Sequence, residues 1–412
     1  MSTSNLYRGL FELLTLPDGD AAAQMLLTSG RVARRELLVV ARQEGCLPEL
    51  YARWAAQSLL SPTEINELEQ ITRRRAGVDE VLRALPPGSL LAAPDAARSS
   101  AATIEVLLPD FAAIGPLHEA LRRLEYRLGD AGQWRVPPRG PLHHGLAAFG
   151  YEPSLGAGLA VRVQVGGAPI DARRHVAFAD LAADATRLQG LACRSLAPTR
   201  QLLHRIASFG ARATPVTLRE IADLHLLLKD AAPRIDTPWL HARIEQLDVW
   251  AGLRQLRDAI VARRLGALLG WGAFGRLVDA SAAHAEAAAG PRAGAPRLAS
   301  FIRGAFEAIR SPRANDVAAR MARAPWLVSQ VLQAGYRVCG VPVSTKAFDA
   351  PRFMRIDGAL YVATGAGVFL LSLVDLADPA RAELGERVRT AGRPVVLARW
   401  TAARAVRRGA RT

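Results

Sequence analysis

The sequence predicts an α+β fold, and three observations carry that reading. Residues 1–85 and 191–335 repeat apolar side chains at three- and four-residue intervals, the spacing of an amphipathic helix face. Residues 86–190 and 336–412 instead carry short apolar runs bounded by glycine, proline and small residues, the texture of strands and turns. One such run, Thr103-Ile104-Glu105-Val106-Leu107-Leu108, holds a single carboxylate in an otherwise apolar strand. At 412 residues the chain is too long for one ordinary core. The expected organisation is an N-terminal helical region (1–85), a small sheet domain (86–190), a helical bundle (191–335) and a C-terminal α/β element with a basic tail (336–412).

Each element has a local justification. Residues 34–55 keep helical spacing and break at Gly45 and Pro48. Ser61-Pro62-Thr63-Glu64 then supplies an N-cap, a proline for the first turn and an acid at the helix's positive end. That helix is expected to run to Pro86-Pro87-Gly88. Residues 88–93 and 103–110 read as strands joined by the small-residue loop 93–102. Leu117, Leu121, Leu124 and Leu128 predict one helix face, with Pro116 near its start. Strands are expected at 142–153 and 159–165.

From residue 195 the helical pattern returns. Leu218, Ile221, Ala222, His225 and Leu228 share one face; Leu240, Ile244, Leu247 and Ala251 share the next. Residues 283–298, rich in alanine, glycine and proline, read as a loop or linker. Beyond them, 353–375 reads as a hairpin, 378–390 as a helix and 394–400 as a strand.

Composition bounds the class of partner. There are 53 Lys plus Arg against 38 acids, a formal net charge of +15, and only Lys229 and Lys346 are lysines. Arginine over lysine reflects a GC-rich genome, but the net excess of cations favours polyanions: nucleic acid phosphates, a nucleotide or an acidic peptide. Cys46, Cys193 and Cys339 are widely spaced and outside any metal-type pattern, so buried free thiols of a reducing compartment are expected. The N-terminal MSTSNLYRGLFELL lacks the basic start and cleavage site of a leader. No run approaches ~20 apolar residues. The expectation is a cytoplasmic protein without a membrane partner.

The order of helices, short sheet with a carboxylate strand, and helical bundle completes a resemblance. The first 250 residues resemble a bacterial family of uncharacterised nucleotidyltransferase-like proteins built on the polymerase-beta-type palm. In this sequence Gly88 and Ser89 stand at the family's glycine-bearing turn, Arg98 in the following loop, and Thr103–Leu108 at its carboxylate strand. Leu124-Glu125-Tyr126 follows the helix, Val161-Arg162-Val163-Gln164-Val165 takes the glutamate-bearing strand, and Arg219-Glu220-Ile221-Ala222-Asp223-Leu224 matches the helical signature. The resemblance implies Thr103 and Glu105 at the catalytic carboxylate positions. It also implies Gly88, Ser89, Arg98 and Arg162 around a cofactor, and Glu105 as the one metal ligand.

The chemistry of such a site needs two carboxylates at i and i+2 of a strand, which share a face. A third on a neighbouring strand completes a two-metal clamp on a triphosphate. Here those three positions hold Thr103, Glu105 and Arg162, and Pro87 replaces the lysine that often precedes the turn glycine. A guanidinium repels a cation, and Asp95 and Asp110 stand too far along the chain to substitute. The leading expectation is a degenerate, non-catalytic pseudoenzyme that binds a nucleotide, peptide or protein through the old cleft. The rival is an active nucleotidyltransferase, with magnesium and a nucleoside triphosphate as cofactors, that modifies a small molecule or peptide. A third reading is a nucleic-acid-associated protein acting through its arginine-rich surface and tail.

Smaller signals have local explanations. Ala363-Thr364-Gly365-Ala366-Gly367 precedes a strand rather than a helix, so a hairpin turn fits better than a phosphate loop. Adjacent His143 and His144 point to different sides and read as loop residues; His204 and His225 read as core histidines. Asp223 is expected to pair with Arg219 one turn away, with orientation of a site residue as the functional alternative. The segment from 391 onward carries six arginines and no acid, and reads as a solvated tail or a phosphate-gripping one.

Overall fold

The computed structural model describes residues 3–16, 34–92, 103–130, 133–134, 146–154, 159–170, 174–212, 214–288, 325–333, 338–356, 359–372, 382–390 and 393–400. Arg98, Asp95, the His143-His144 pair and the tail beyond Trp400 lie outside the described residues. The N-terminal helices are α1 (Thr3–Thr15), α2 (Arg34–Gln43), α3 (Leu47–Ala56), α4 (Pro62–Ala76) and α5 (Val78–Ala84). Ser61 and Glu64 close a reciprocal capping box at the start of α4: Glu64 N donates to Ser61 Oγ at 3.4 Å and Ser61 N to Glu64 Oε2 at 2.8 Å. The single helix expected from Ser61 to Leu85 is broken at Gly77, which serves as both the C-cap of α4 and the N-cap of α5.

A mixed seven-stranded sheet follows. Its strands are β1 (Leu90–Leu91), β2 (Thr103–Leu108), β3 (Tyr126–Asp130), β5 (Ala147–Pro153), β6 (Ala160–Val165), β9 (Thr186–Arg187) and β10 (Arg194–Ser195), in the order β3-β5-β6-β2-β1-β10-β9. Of the short strands between them, β4 (Gln133–Trp134) joins a second sheet, while β7 (Gly167–Pro169) and β8 (His175–Ala177) pair with each other. β2 runs parallel to β6 and antiparallel to β1. Alternation sends Ile104, Val106 and Leu108 to one face of β2 and Leu107 to the other. On the first face lies α6 (Ile114–Arg123), which buries Ile114, Leu117 and Leu121. The helix stops there: Leu124 is its C-cap, and Leu128 belongs to β3. The expected four-leucine face is thus cut in half, because Glu125 takes a left-handed backbone (φ 60°) and turns the chain into the sheet.

The second half of the chain is helical over α8 (Pro198–Ala211), α9 (Leu218–Ala231), α10 (Thr237–Leu247), α11 (Trp250–Ala262) and α12 (Gly272–Ala288), with α7 (Phe178–Ala182) preceding them. α12 extends into the low-complexity stretch expected to be a loop, and His284 within it stacks on Trp250 at 3.8 Å and 11°. α13 (Pro325–Gln333) precedes the strands β11 (Val338–Ser344), β12 (Arg352–Ile356), β13 (Ala359–Thr364) and β14 (Gly367–Ser372). In place of a simple hairpin, β12, β13 and β14 form a three-stranded meander. The turn Gly365-Ala366 joins β13 to β14, as the Ala363–Gly367 motif suggests, and Gly365 approaches Gly115 so closely that a Cβ would meet its Cα at 2.3 Å. Residues 382–390, expected to be helical, form β15 (Ala382–Thr390), which pairs with β16 (Arg393–Trp400). Polar and apolar residues alternate through Glu383-Leu384 and Arg387-Val388-Arg389, which suits a strand. The described part of the C-terminal element is β, not α/β.

Two large cores organise these elements. The first joins the N-terminal helices to the bundle: Leu10, Trp54, Leu202, Ile206, Ile221 and Leu253 are all in it, and Leu90 and Leu107 enter it from the sheet. The second joins the opposite sheet face to the C-terminal strands through β4, which pairs with β11. Trp134 is fully buried at its centre, with Phe369 at 4.8 Å, Phe149 at 5.1 Å and Phe111 at 5.3 Å between ring centroids. Such aromatic pairs contribute about 0.5–1.5 kcal/mol each beyond their burial. No helix among the described residues is long and apolar enough to cross a membrane.

Candidate functional site

The carboxylate strand lies at the middle of the sheet, and its parallel neighbour fixes what faces Glu105. The β2–β6 register pairs Thr103 with Ala160, Glu105 with Arg162 and Leu107 with Gln164. Side chains two apart share a face, so Glu105, Arg162 and Gln164 stand together on the side of the sheet whose next residue, Leu107, packs into the bundle core. Arg162 Nη1 lies 3.8 Å from Glu105 Oε1, with the arginine side chain 61% and the glutamate 32% exposed. An ion pair of that length and exposure contributes about 0–1 kcal/mol. Its importance is electrostatic: the carboxylate's charge is already answered.

Behind the pair the environment dries out. Gln164 is buried, and its Oε1 has no hydrogen-bond partner among the described residues. His204 on α8 is buried as expected for a core histidine, with Nε2 likewise unpartnered among the described residues. Burial pushes the His204 imidazole below its ordinary pKa; the negative charge of Glu105 acts in the opposite direction, and Arg205 reinforces the lowering. Glu105 is therefore felt on α8, a neighbour that the sequence alone does not assign to it.

The remaining sequence candidates are placed elsewhere. Gly88 adopts φ +89° in a turn closed by Ser89 N donating to the Pro86 carbonyl at 3.2 Å. Ser89 is buried, its carbonyl accepts from Arg194 N at 3.0 Å, and its Oγ has no partner among the described residues. Because β1 is antiparallel to β2, with Leu90 opposite Leu107, the turn sits at the far end of the strand from Glu105. At about 3.3 Å per residue the separation along the strand is about 10 Å. Ala92, at the other end of β1, is the residue that reaches Glu105: its N donates to the Glu105 carbonyl at 3.1 Å. The structure thus brings Thr103, Glu105 and Arg162 together and leaves Gly88 and Ser89 apart from them.

The donor set at this point of the sheet is one carboxylate, one hydroxyl and one guanidinium. A magnesium pair bridging a triphosphate calls for several anionic oxygens on one side, and these residues do not fit it. Among the described residues, no group of three or more His, Cys, Asp or Glu side chains is placed to hold a metal ion. Asp223, from the helical signature, pairs with Arg219 at 2.8 Å and approaches Arg205 at 3.9 Å, as its spacing suggests for the first of these. His225, half-buried, accepts from Trp271 Nε1 at 3.3 Å and meets Phe11 edge-on. No family model, curated protein or solved structure matches the chain.

Proposed function

We propose that this chain is a non-catalytic, ligand-binding protein on a nucleotidyltransferase-like palm, with a nucleotide as the first ligand to test. One observation carries the reading: in the β2–β6 register the residue opposite Glu105 is Arg162, where a metal clamp would need a further carboxylate. The guanidinium answers the single negative charge and raises the local cost of a divalent cation. The same exposed arginine, in a chain with a formal net charge of +15, favours an anionic ligand over a cationic one.

The test is turnover and binding measured together. Purified protein with ATP or GTP and magnesium is expected to release no pyrophosphate above the protein-free control. Calorimetry is expected to show nucleotide binding that does not depend on magnesium and weakens in Arg162→Ala. Magnesium-dependent turnover that Glu105→Gln abolishes would establish the active-enzyme reading instead. The double substitution Thr103→Asp with Arg162→Glu rebuilds three carboxylates on adjacent strand positions and is expected to introduce manganese binding absent from the native chain.

A further inference from the structure

A charged cavity of about 580 Å³ lies away from the Glu105 strand, between the N-terminal helices and the bundle. That volume falls within the range of small-molecule sites, about 300–1,000 Å³. One face of α9 forms a wall through Arg219, Asp223, Leu226, Leu227 and Asp230. One face of α3 forms the opposite wall through Pro48, Glu49, Ala52 and Arg53. Leu13 and Leu14 of α1, Arg75 of α4, Gln201 and Arg205 of α8 and Arg234 just beyond α9 also line it.

Five arginines, at 53, 75, 205, 219 and 234, face this cavity together with the three acids Glu49, Asp223 and Asp230. Arg219 joins the acids at the centre, with Glu49 at 3.1 Å and Asp223 at 2.8 Å. The flanking arginines are held more loosely. Arg75 reaches Glu49 at 3.5 Å and Arg205 reaches Asp223 at 3.9 Å, both longer than a charge-assisted hydrogen bond. Nε of Arg205 is a buried donor with no hydrogen-bond acceptor among the described residues, and Nη2 of Arg75 has only the long contact to Glu49. Buried cationic donors without acceptors are expensive, and an anion's oxygens would satisfy them.

We propose that this cavity binds a small organic phosphate: a dianionic head against Arg75 and Arg205, and an apolar body against the leucines of α1 and α9. Guanidinium forks suit phosphate oxygens. The site is separate from the Glu105 strand and does not depend on the palm reading. Gln201 and Arg205, one turn apart on α8, line the cavity, whereas His204 on the same helix does not.

The experiment is calorimetric titration of the full chain with phenyl phosphate and with inorganic phosphate at low salt. Phenyl phosphate is expected to bind saturably and at least about fivefold more tightly than inorganic phosphate, the leucine walls supplying the difference. Arg205→Gln and Arg75→Gln are each expected to weaken it about tenfold, the usual loss for one charge-assisted hydrogen bond. Arg234→Glu, on an exposed residue that the fold tolerates, is expected to weaken it about threefold or more without moving the melting temperature. Glu105→Gln should leave affinity unchanged, which separates this site from the proposed cleft. Absence of saturable binding overturns the proposal, as does native affinity in Arg234→Glu or a phenyl phosphate that binds no better than inorganic phosphate.

Discussion

Replacing Glu44 by alanine removes one residue from a junction of three separate helices. Glu44 follows α2, and its carboxylate accepts from Leu218 N, at the start of α9, at 2.6 Å. Its backbone carbonyl accepts from Arg219 N at 3.1 Å. Arg263, at the end of α11, donates to both carboxylate oxygens: Nε and Nη2 reach Oε1 at 3.1 and 2.7 Å, and Nη2 reaches Oε2 at 2.9 Å. The two side chains are only 10% and 12% exposed. An anion at the positive end of α9 also offsets that helix's orphan amides. Breaking a buried pair by deleting one partner typically costs about 3–5 kcal/mol, because the other charge is left without an answer. Against a total stability of about 5–15 kcal/mol, that is a large fraction. Urea unfolding of Glu44→Ala should show the loss as a lowered midpoint with an unchanged slope. In an Arg263→Met background the same substitution should cost about 1 kcal/mol, since no stranded guanidinium remains. A cost below about 1 kcal/mol in the native background, or equal costs in both, would refute the reasoning.

Acid sensitivity and core packing give two further tests. Arg34, bonded to both Glu64 oxygens, holds that carboxyl at about 2 against an ordinary 4.5, burial opposing it and Ser61 assisting. A depressed carboxyl contributes fully above its unfolded pKa and loses that contribution as pH falls through the folded value. Stability should therefore drop more steeply between pH 4.5 and 2 in the native chain than in Arg34→Ala, measured as midpoint against pH; parallel curves would remove Arg34 as the cause. Gly340 lies against the ring of Trp134, where a Cβ would meet Nε1 at 2.4 Å. Gly340→Ala should cost about 1–3 kcal/mol by overpacking and shift the near-ultraviolet tryptophan signal; an unchanged melting temperature would show that the β4–β11 junction can relax.

What could be read in the sequence was what neighbouring residues decide among themselves. Ser61 and Glu64 of the cap stand three positions apart, Arg219 and Asp223 four, and the Gly365-Ala366 turn is two residues long, so each is written in one short stretch. The errors came where spacing was ambiguous. Leu124 and Leu128 keep a helical interval but flank a left-handed turn, and 382–390 carries a pattern that a short helix and a strand can share. The carboxylate strand was visible, and so was its shortage of partners. The position of Ser89 was not: the antiparallel sense of β1 against β2, which carries it away from Glu105, is a property of pairing rather than of either strand.

By itself, the sequence determined the helices with caps, the strands with alternation, the lone Glu105 and the excess of arginine, because short-range hydrogen bonds and apolar periodicity act within a few residues. Tertiary structure alone decided which surfaces meet. It set the N-terminal helices and the bundle around one core, and carried Trp134 to strands far later in the chain. It also joined Glu44 to Arg263 across 219 positions and gathered arginines from four helices and the end of α9 around one cavity. Leucine faces are interchangeable as patterns, and only the packing of complete elements selects one partner for each. A charge acquires its role from the charges that packing sets beside it.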